Sequence, residues 1–545
     1  MLRPHLTRKN PTARELASGV LLALPWLAGL VLVLTLAWLP IRVSLTHFLY
    51  EDYFYYLKVA EHIIAGDGVT FDGQARTNGF HPAWMIAITL IRALSSHTAA
   101  IHFGLTLAGV LHVAQAALLY AVIAALSRRR IAYFAAVFYL LNYRIMATNL
   151  CGLETPLAGA ALLGTILFLV HHRRGLGTVR DALALGALLG LTVWTRFDLG
   201  LFVLFVGVWT LLSGALRTDV PRRERMKTTL VTSAVTAATC AATLIPWFAW
   251  SLNQSGVLLP NSRAALSVVH TKEFTSFTEL VHDKIFSAAW WFGDTANALG
   301  LWPKAAPEGL FTNLSASLVV LAVLVLGLGL WKLLRKEKET FLLLSILFIY
   351  AIAHVVYYVF TLRAEFRYLL PFACVMTIVG AVLAGRLIDR TSSSKVHRLV
   401  FAIAAVLLIN GLSSGMSAWK KQHGATRTHA AHEGLLDAAR WLEKNVPEET
   451  TVGAWNAGVL SYFSGRQVVN LDGVINDEAI PYNRARAIDR YIAKRGIRVL
   501  ADVESQIGSY MDAFGSMSEW RAAYEPKARF MEVVIIERAS SAGNE

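Results

Sequence analysis

Two adjacent acids, Glu51 and Asp52, stand just past the first long apolar run of the chain. An aromatic-rich stretch follows, then a Gly-punctuated turn and a Thr-Asn-Gly-Phe-His-Pro cluster over 77–82. Further charges recur in later connections. They are Glu154 in GLETPL (152–157), Arg196 and Asp198 in TRFD (195–198), and Arg363, Glu365 and Arg367 between two apolar runs. Ionisable groups at a membrane boundary are costly unless paired or solvated, which makes them functional candidates. A carboxylate can take the proton of an acceptor hydroxyl, and a neighbouring one can hold a hard divalent cation such as Mg, Mn or Ca. The guanidinium fork matches phosphate oxygens. An acid and an ion site beside an arginine phosphate clamp would suit a lipid-phosphate donor handing over its head group.

Each residue also has a plainer use. Acids favour the first turn of a helix, so Glu51 and Asp52 could be a solvated helix start, and Glu154 before Thr155-Pro156 a capping acid. His81 precedes Pro82 as at an ordinary helix entry. Arg196–Asp198 and Glu365–Arg367 could be paired structural ions. The aromatics around Glu51-Asp52 and the cluster that follows them tip the balance toward chemistry.

The elements that hold these groups are membrane spans by composition. Of 545 residues, 55% are hydrophobic and 16% charged, against about 25% charged in a soluble domain. Mean hydropathy is +0.49. The net charge of +14 fits basic cytoplasmic loops of a multispan protein. No basic block is interleaved with aromatics as a nucleic-acid groove requires, so nucleic acid is excluded as a partner. Cys151, Cys240 and Cys374 are widely separated and show neither metal-ligand spacing nor a disulfide framework.

Apolar runs of spanning length, oriented by their Lys/Arg flanks, predict about eleven transmembrane helices. They are 16–39, 99–126, 131–148, 153–170, 181–195, 199–216, 228–250, 314–334, 341–361, 367–388 and 396–415. The run 81–95 is expected to lie as an interfacial helix in the first outer loop, because counting it as a span would place Arg128–Arg130 outside. The N-terminus is then cytoplasmic, the first helix is retained rather than cleaved, and all the charged turns named above share the outer face. From residue 416 the composition becomes that of a soluble domain. Short β-like runs at 451–454, 467–471, 497–503 and 530–537 alternate with helical patterns at 429–444 and 482–495. The expectation is a polytopic α-helical membrane module over 1–415 with a small α/β periplasmic domain over 416–545.

Three function classes fit such a protein: an enzyme, a transporter or flippase of envelope lipids or glycans, and an envelope scaffold. A transporter should carry polar groups in mid-span and broken helices in inverted repeats. Most runs here are apolar through their middles, which favours the enzyme.

The block EDYFYYLKVAEHIIAGDGVTFDG…TNGFHPAW, followed in order by GLETPL, TRFD, LPNS (259–262) and EFRYLLP (365–371), resembles the type-C (GT-C) glycosyltransferases. The resemblance is to bacterial cousins of protein mannosyltransferases, aminoarabinose-lipid A transferase and mycobacterial arabinofuranosyltransferases. It implies inverting transfer of a sugar, arabinofuranose or mannose among the options, from a polyprenyl-phosphate donor to a glycan, lipid or protein acceptor. The place is the non-cytoplasmic side of the bacterial inner membrane. Carried onto this chain, the catalytic base is one of Glu51 and Asp52, with Asp52 preferred. Arg367 with Tyr368 is the donor-phosphate element, with Arg363 and Lys58 as further candidates. Glu154, together with Glu51, is the candidate metal pair. Asn78, His81, Arg196 and Glu365 complete the substrate-facing set.

Overall fold

The computed structural model describes residues 13–217, 220–265, 308–361, 366–420, 427–514 and 523–539, with a few isolated positions between 276 and 284. Helices dominate up to residue 445. They begin with α1 (Ala13–Ala37), α2 (Ile41–His47), α3 (Asp52–Ala65), α4 (Pro82–Ala93) and α5 (His97–Leu126). Next come α6 (Arg129–Leu141), α7 (Tyr143–Asn149), α8 (Thr155–His171), α9 (Val179–Thr195), α10 (Gly200–Ala215) and α11 (Arg222–Ser255). Four more helices follow: Glu308–Leu334, Lys338–Thr361, Phe366–Arg390 and Ser394–Lys420.

Against the eleven expected spans, five helices among the described residues are long and apolar enough to cross a membrane, or seven if each bent pair counts as one. The bends have local causes. The chain turns by 113° between Leu22–Ala37 and Ile41–His47, where Pro40, which has no N–H to donate, starts α2. It turns by 61° between α6 and α7, where the Asn142 side chain accepts the Ile145 N–H at 3.1 Å and opens a new helix. The run expected as interfacial is the 12-residue α4, entered through Pro82, too short to span on its own.

A buried polar network fixes the site end of the bundle. Gln115 of α5 donates to the Pro156 carbonyl at 2.6 Å and to Asn149 Oδ1 at 3.2 Å. Asn149 in turn meets His112 at 3.0 Å. In an apolar medium each such group must find a partner within the protein. The network therefore sets the end of α7 and the start of α8, and with them Glu154. Gly152 completes that turn. Its φ is +86°, and a Cβ there would lie 2.4 Å from the Tyr53 ring, so no other residue fits without displacing α3.

The C-terminal segment begins with the helix Arg427–Asn445 and builds a five-stranded sheet in the order β2-β1-β3-β5-β4. Its strands are β1 (Thr451–Ala454), β2 (Gln467–Asn470), β3 (Val499–Val503), β4 (Tyr524–Phe530) and β5 (Val533–Arg538). β1 pairs parallel with β2 and β3, while β5 runs antiparallel to both β3 and β4. The helical pattern expected at 482–495 is two short helices, Ala479–Arg484 and Ile488–Lys494. They are broken near Arg486, whose φ is +52°.

This segment is packed onto the membrane half. Arg42 is bonded to Glu433 at 2.5 Å and to Asp437. Arg495 meets Asp72 of the first loop at 2.6 Å, and the Asp477 N–H donates to the Arg76 carbonyl at 3.2 Å. Gly79 lies so close to the strand-to-helix loop that a Cβ would sit 1.9 Å from the Val474 carbonyl oxygen.

Candidate functional site

The two first-loop acids face different neighbours. Glu51, only 6% exposed, accepts the Tyr55 hydroxyl at 2.8 Å and the Gly458 N–H at 3.1 Å. Gly458 lies in the first turn of the helix Ala457–Ser464, where an acceptor satisfies an otherwise orphaned N–H. Burial, aided by the neighbouring Asp52 charge, holds the Glu51 carboxyl well above its usual range, with the Tyr55 hydroxyl opposing. Asp52 has a side chain 38% exposed, and its Oδ2 lies 3.6 Å from Arg367 Nη1. One acid is thus enclosed under the C-terminal segment, while the other reaches the open side of α3.

Arg367 starts the helix Phe366–Arg390 and lies over the rings of Tyr50 and Tyr368, 5.4 and 4.9 Å from their centroids. It also donates to the Tyr368 hydroxyl at 3.0 Å. Cation–ring contacts of this kind are favourable and hold the guanidinium plane.

Behind it, Arg196 links the buried groups. Its two nitrogens contact Asp198 at 3.1 and 2.9 Å. It donates to the Tyr358 hydroxyl at 3.1 Å and to the Arg367 carbonyl at 3.3 Å. Its Nε also lies 3.9 Å from Glu154 Oε1, and its guanidinium lies over the Tyr368 ring at 5.1 Å. Glu154 further accepts the Tyr56 hydroxyl at 3.2 Å and faces His81 Nε2 at 3.7 Å. Burial pushes Glu154 up, but its electrostatic interactions with His81, Arg196 and Arg367 together outweigh it and leave the carboxyl below its usual range. Burial likewise lowers His81. The result is a connected cluster in which Arg367 meets Asp52 while Arg196 meets Asp198 and Glu154.

The structure therefore brings together Asp52, Arg367, Tyr368, Arg196, Glu154 and His81. Three other expected residues have separate surroundings. Lys58 pairs with Glu61 at 3.4 Å on its own helix, and Glu61 is also held by Arg92 and His97. Asn78 is fully buried: it donates to Ser251 at 2.8 Å and accepts the Asn261 N–H at 2.8 Å. That ties the Thr-Asn-Gly-Phe-His-Pro cluster to the LPNS turn, so Asn78 joins two loops in this structure. Glu51 is the third, facing Tyr55 and Gly458. Arg363 and Glu365 lie outside the described residues.

The expected metal pair does not assemble. Glu51 faces Tyr55 and Gly458, whereas Glu154 faces Tyr56, His81 and Arg196. Among the described residues no three His, Cys, Asp or Glu side chains come together as a metal site. The Glu154 carboxylate already has a guanidinium within 3.9 Å, and a second cation beside it would be repelled. This donor set does not fit a resident divalent ion. Washing with a chelator is accordingly expected to leave transfer activity within about twofold, since no bound ion would be stripped. Loss of activity restored by added Mg, Mn or Ca would overturn that.

Several groups at this end were missed from the sequence. Tyr56, Tyr358 and His354 hold the buried acids, and Arg144 lies over Phe366 at 5.8 Å. Asp472, on the loop after β2, is raised to about 7 by burial, with the charges of Asp52 and Asp502 adding to it and the Val474 N–H opposing. Folded-state protonation of such a group contributes stability that fades as pH rises toward 7.

The whole architecture matches solved membrane glycosyltransferases. ArnT from Cupriavidus metallidurans in the apo state superposes with a TM-score of 0.59 at 14% identity, covering 97% of this chain and 100% of that one. The same protein bound to undecaprenyl phosphate gives 0.57 at 14% identity, over 95% and 99%. The fold is GT-C. The archaeal oligosaccharyltransferase AglB from Archaeoglobus fulgidus, in complex with an inhibitory peptide and a dolichol-phosphate, also matches. Its TM-score is 0.52 at 12% identity, over 92% of this chain and 72% of that one. Residues 421–543 match a family described as "Domain of unknown function (DUF8728)". No curated protein sequence matches the chain.

Proposed function

We propose that this protein is an inverting glycosyltransferase of the bacterial inner membrane. It moves a sugar from a polyprenyl-phosphate donor to a hydroxyl of a glycan, lipid or protein on the periplasmic side. The observation that carries the reading is the pairing of Asp52 with Arg367 at 3.6 Å, a carboxylate and a phosphate-type cation side by side on a GT-C fold. ArnT and AglB, solved with undecaprenyl phosphate and dolichol-phosphate, are consistent with a lipid-linked donor. The N-terminus is cytoplasmic in this reading, and residues 416–545 form a periplasmic domain over the site.

In the reaction, the Asp52 carboxylate takes the proton of the acceptor hydroxyl. The acceptor oxygen then bonds to the anomeric carbon as the bond from that carbon to the phosphate oxygen breaks. The electron pair stays on the phosphate, whose growing charge Arg367 stabilises electrostatically. Because the phosphate leaves without a proton, one carboxylate suffices, in contrast to the two-carboxylate scheme of glycoside hydrolysis. Arg196 holds the Arg367 backbone carbonyl and the Tyr368 ring in place.

Glu51 is the anchor for the C-terminal domain in this scheme. Glu51→Gln keeps an acceptor for either the Tyr55 hydroxyl or the Gly458 N–H, so transfer is expected to fall by no more than about threefold, consistent with loss of one neutral hydrogen bond. Loss comparable to that of an Asp52 variant would make Glu51 the base instead.

The function itself is tested by supplying the purified chain in liposomes with polyprenyl-phosphate sugars and an envelope extract. Acceptor-dependent release of polyprenyl monophosphate is the expected product. No release from any donor pool, together with unchanged envelope glycans after deletion, would reject the proposal.

A further inference from the structure

A small polar pocket of about 50 Å³ lies beside the Asp52–Arg367 pair, lined by His47, Tyr50, Arg144, Thr148, Phe366 and Arg367 among others. A water needs roughly 10–15 Å³ by this measure, so the space suits one phosphate group and is too small for a sugar ring. Two arginines are among its lining residues, one from each wall: Arg144 on α7 and Arg367 at the start of the helix Phe366–Arg390.

The same two chain segments form the walls of a second, larger cavity. A groove of about 460 Å³ runs between α6 and the helices Glu308–Leu334, Phe366–Arg390 and Ser394–Lys420. Its lining is apolar apart from Thr377, and includes Phe134 and Phe138 of α6, with Phe372, Gly380 and Ala381 opposite. Along α6 the chain leads from Phe138 through the Asn142 bend to Arg144. Along the facing helix it leads from Ala381 back to Arg367, about 21 Å at 1.5 Å per residue. The two cavities share no lining residue, but they follow one another along the same pair of chain segments, and an apolar groove with two arginines beyond its end has the polarity of a lipid monophosphate.

We infer that Arg144 is the second phosphate-binding cation of this protein, holding a polyprenyl phosphate whose chain lies in the groove between α6 and the helix Phe366–Arg390. The inference rests on the donor reading above and deepens it. A donor phosphodiester carries one negative charge and the departing monoester carries close to two, so a second arginine answers the charge that appears as the anomeric bond breaks. Arg144 and Arg367 line the same pocket, and of the two it is Arg367 that also meets Asp52.

Binding to the full chain in lipid nanodiscs tests this without knowledge of the sugar. The probes are geranyl phosphate, undecaprenyl phosphate, geraniol and inorganic phosphate. Arg144→Ala should weaken both lipid phosphates at least about tenfold, as expected for losing a charged hydrogen-bond partner, while geraniol binding stays unchanged. Arg144→Gln, which keeps the length and polarity, is the second variant should the alanine protein not be recovered. Ala381→Trp, which fills the groove, should weaken undecaprenyl phosphate and spare geranyl phosphate.

Unaltered affinity in both Arg144 variants, with Arg367→Ala impaired, would overturn the inference and leave the donor reading standing. Lipid-phosphate binding in none of the proteins would overturn both. Competition by inorganic phosphate as strong as that by geranyl phosphate would assign the pocket to free phosphate and overturn the lipid placement. Undecaprenyl phosphate binding unchanged in Ala381→Trp would move the chain out of the groove.

Discussion

Asp52→Asn is expected to lower sugar transfer by roughly 100- to 10,000-fold, the range a positioned general base contributes, with donor binding little changed. The asparagine keeps the size of the side chain and can still sit near Arg367, so the loss isolates the proton acceptor from the architecture. The measurement is acceptor-dependent release of polyprenyl monophosphate by protein that elutes as the wild type does. The proposed mechanism assigns this work to Asp52, whose side chain is 38% exposed and faces Arg367, while Glu51 is enclosed against Gly458. Because Asp52 lies on the first turn of α3, with Tyr53 to Leu57 all buried behind it, the substitution leaves the packing of that helix intact. Transfer retained at a tenth of wild type or better would remove Asp52 from the base role. Retained transfer with Glu51→Gln inactive would hand the role to its neighbour.

The coarse plan of the molecule was legible in the residues because bilayers demand long apolar runs and sheets demand short buried ones. Less was legible where a run conceals a bend. Arg144 fell inside an apolar stretch read as one span over 131–148, and only the Asn142 cap breaks that stretch and sends Arg144 to the pocket. β4 escaped notice for a different reason. Its residues YEPKARF lie at the sheet edge, mostly exposed, with Pro526 among them, and an edge strand of that kind carries no apolar signal. The helix Ala457–Ser464 is buried nearly all round, so it shows no amphipathic period.

The site divided along the same line. Acids and arginines in the short turns could be listed together from topology alone. Which acid each arginine meets could not, because Glu51 and Gly458 are 407 positions apart and their contact depends on how the C-terminal segment packs. The expectation of Glu51 with Glu154 as metal ligands failed to anticipate that Arg196 would stand next to Glu154. Composition shows that a cation is needed near a buried acid; only packing shows that the cation is a side chain.

Arg196→Met should destabilise the detergent-solubilised protein by about 3–5 kcal/mol, the usual cost of removing one partner from a buried ion pair. The Arg196 and Asp198 side chains are 4% and 8% exposed, and Glu154 is 5% exposed. Taking away the guanidinium leaves two buried carboxylates short of a countercharge and unties the Arg367 carbonyl and the Tyr358 hydroxyl. Arg196→Lys keeps the charge but loses the fork that meets Asp198 at two nitrogens, so it should fall between the wild type and Arg196→Met in thermal midpoint. Asp198→Asn in the Arg196→Met background should recover part of the loss, because it removes one of the stranded charges, although Glu154 remains. A thermal midpoint for Arg196→Met equal to the wild type would mean that water or lipid headgroups satisfy these acids. Arg196 would then have no structural duty at this depth, and any loss of transfer in that variant would have to come from direct contact with the substrate.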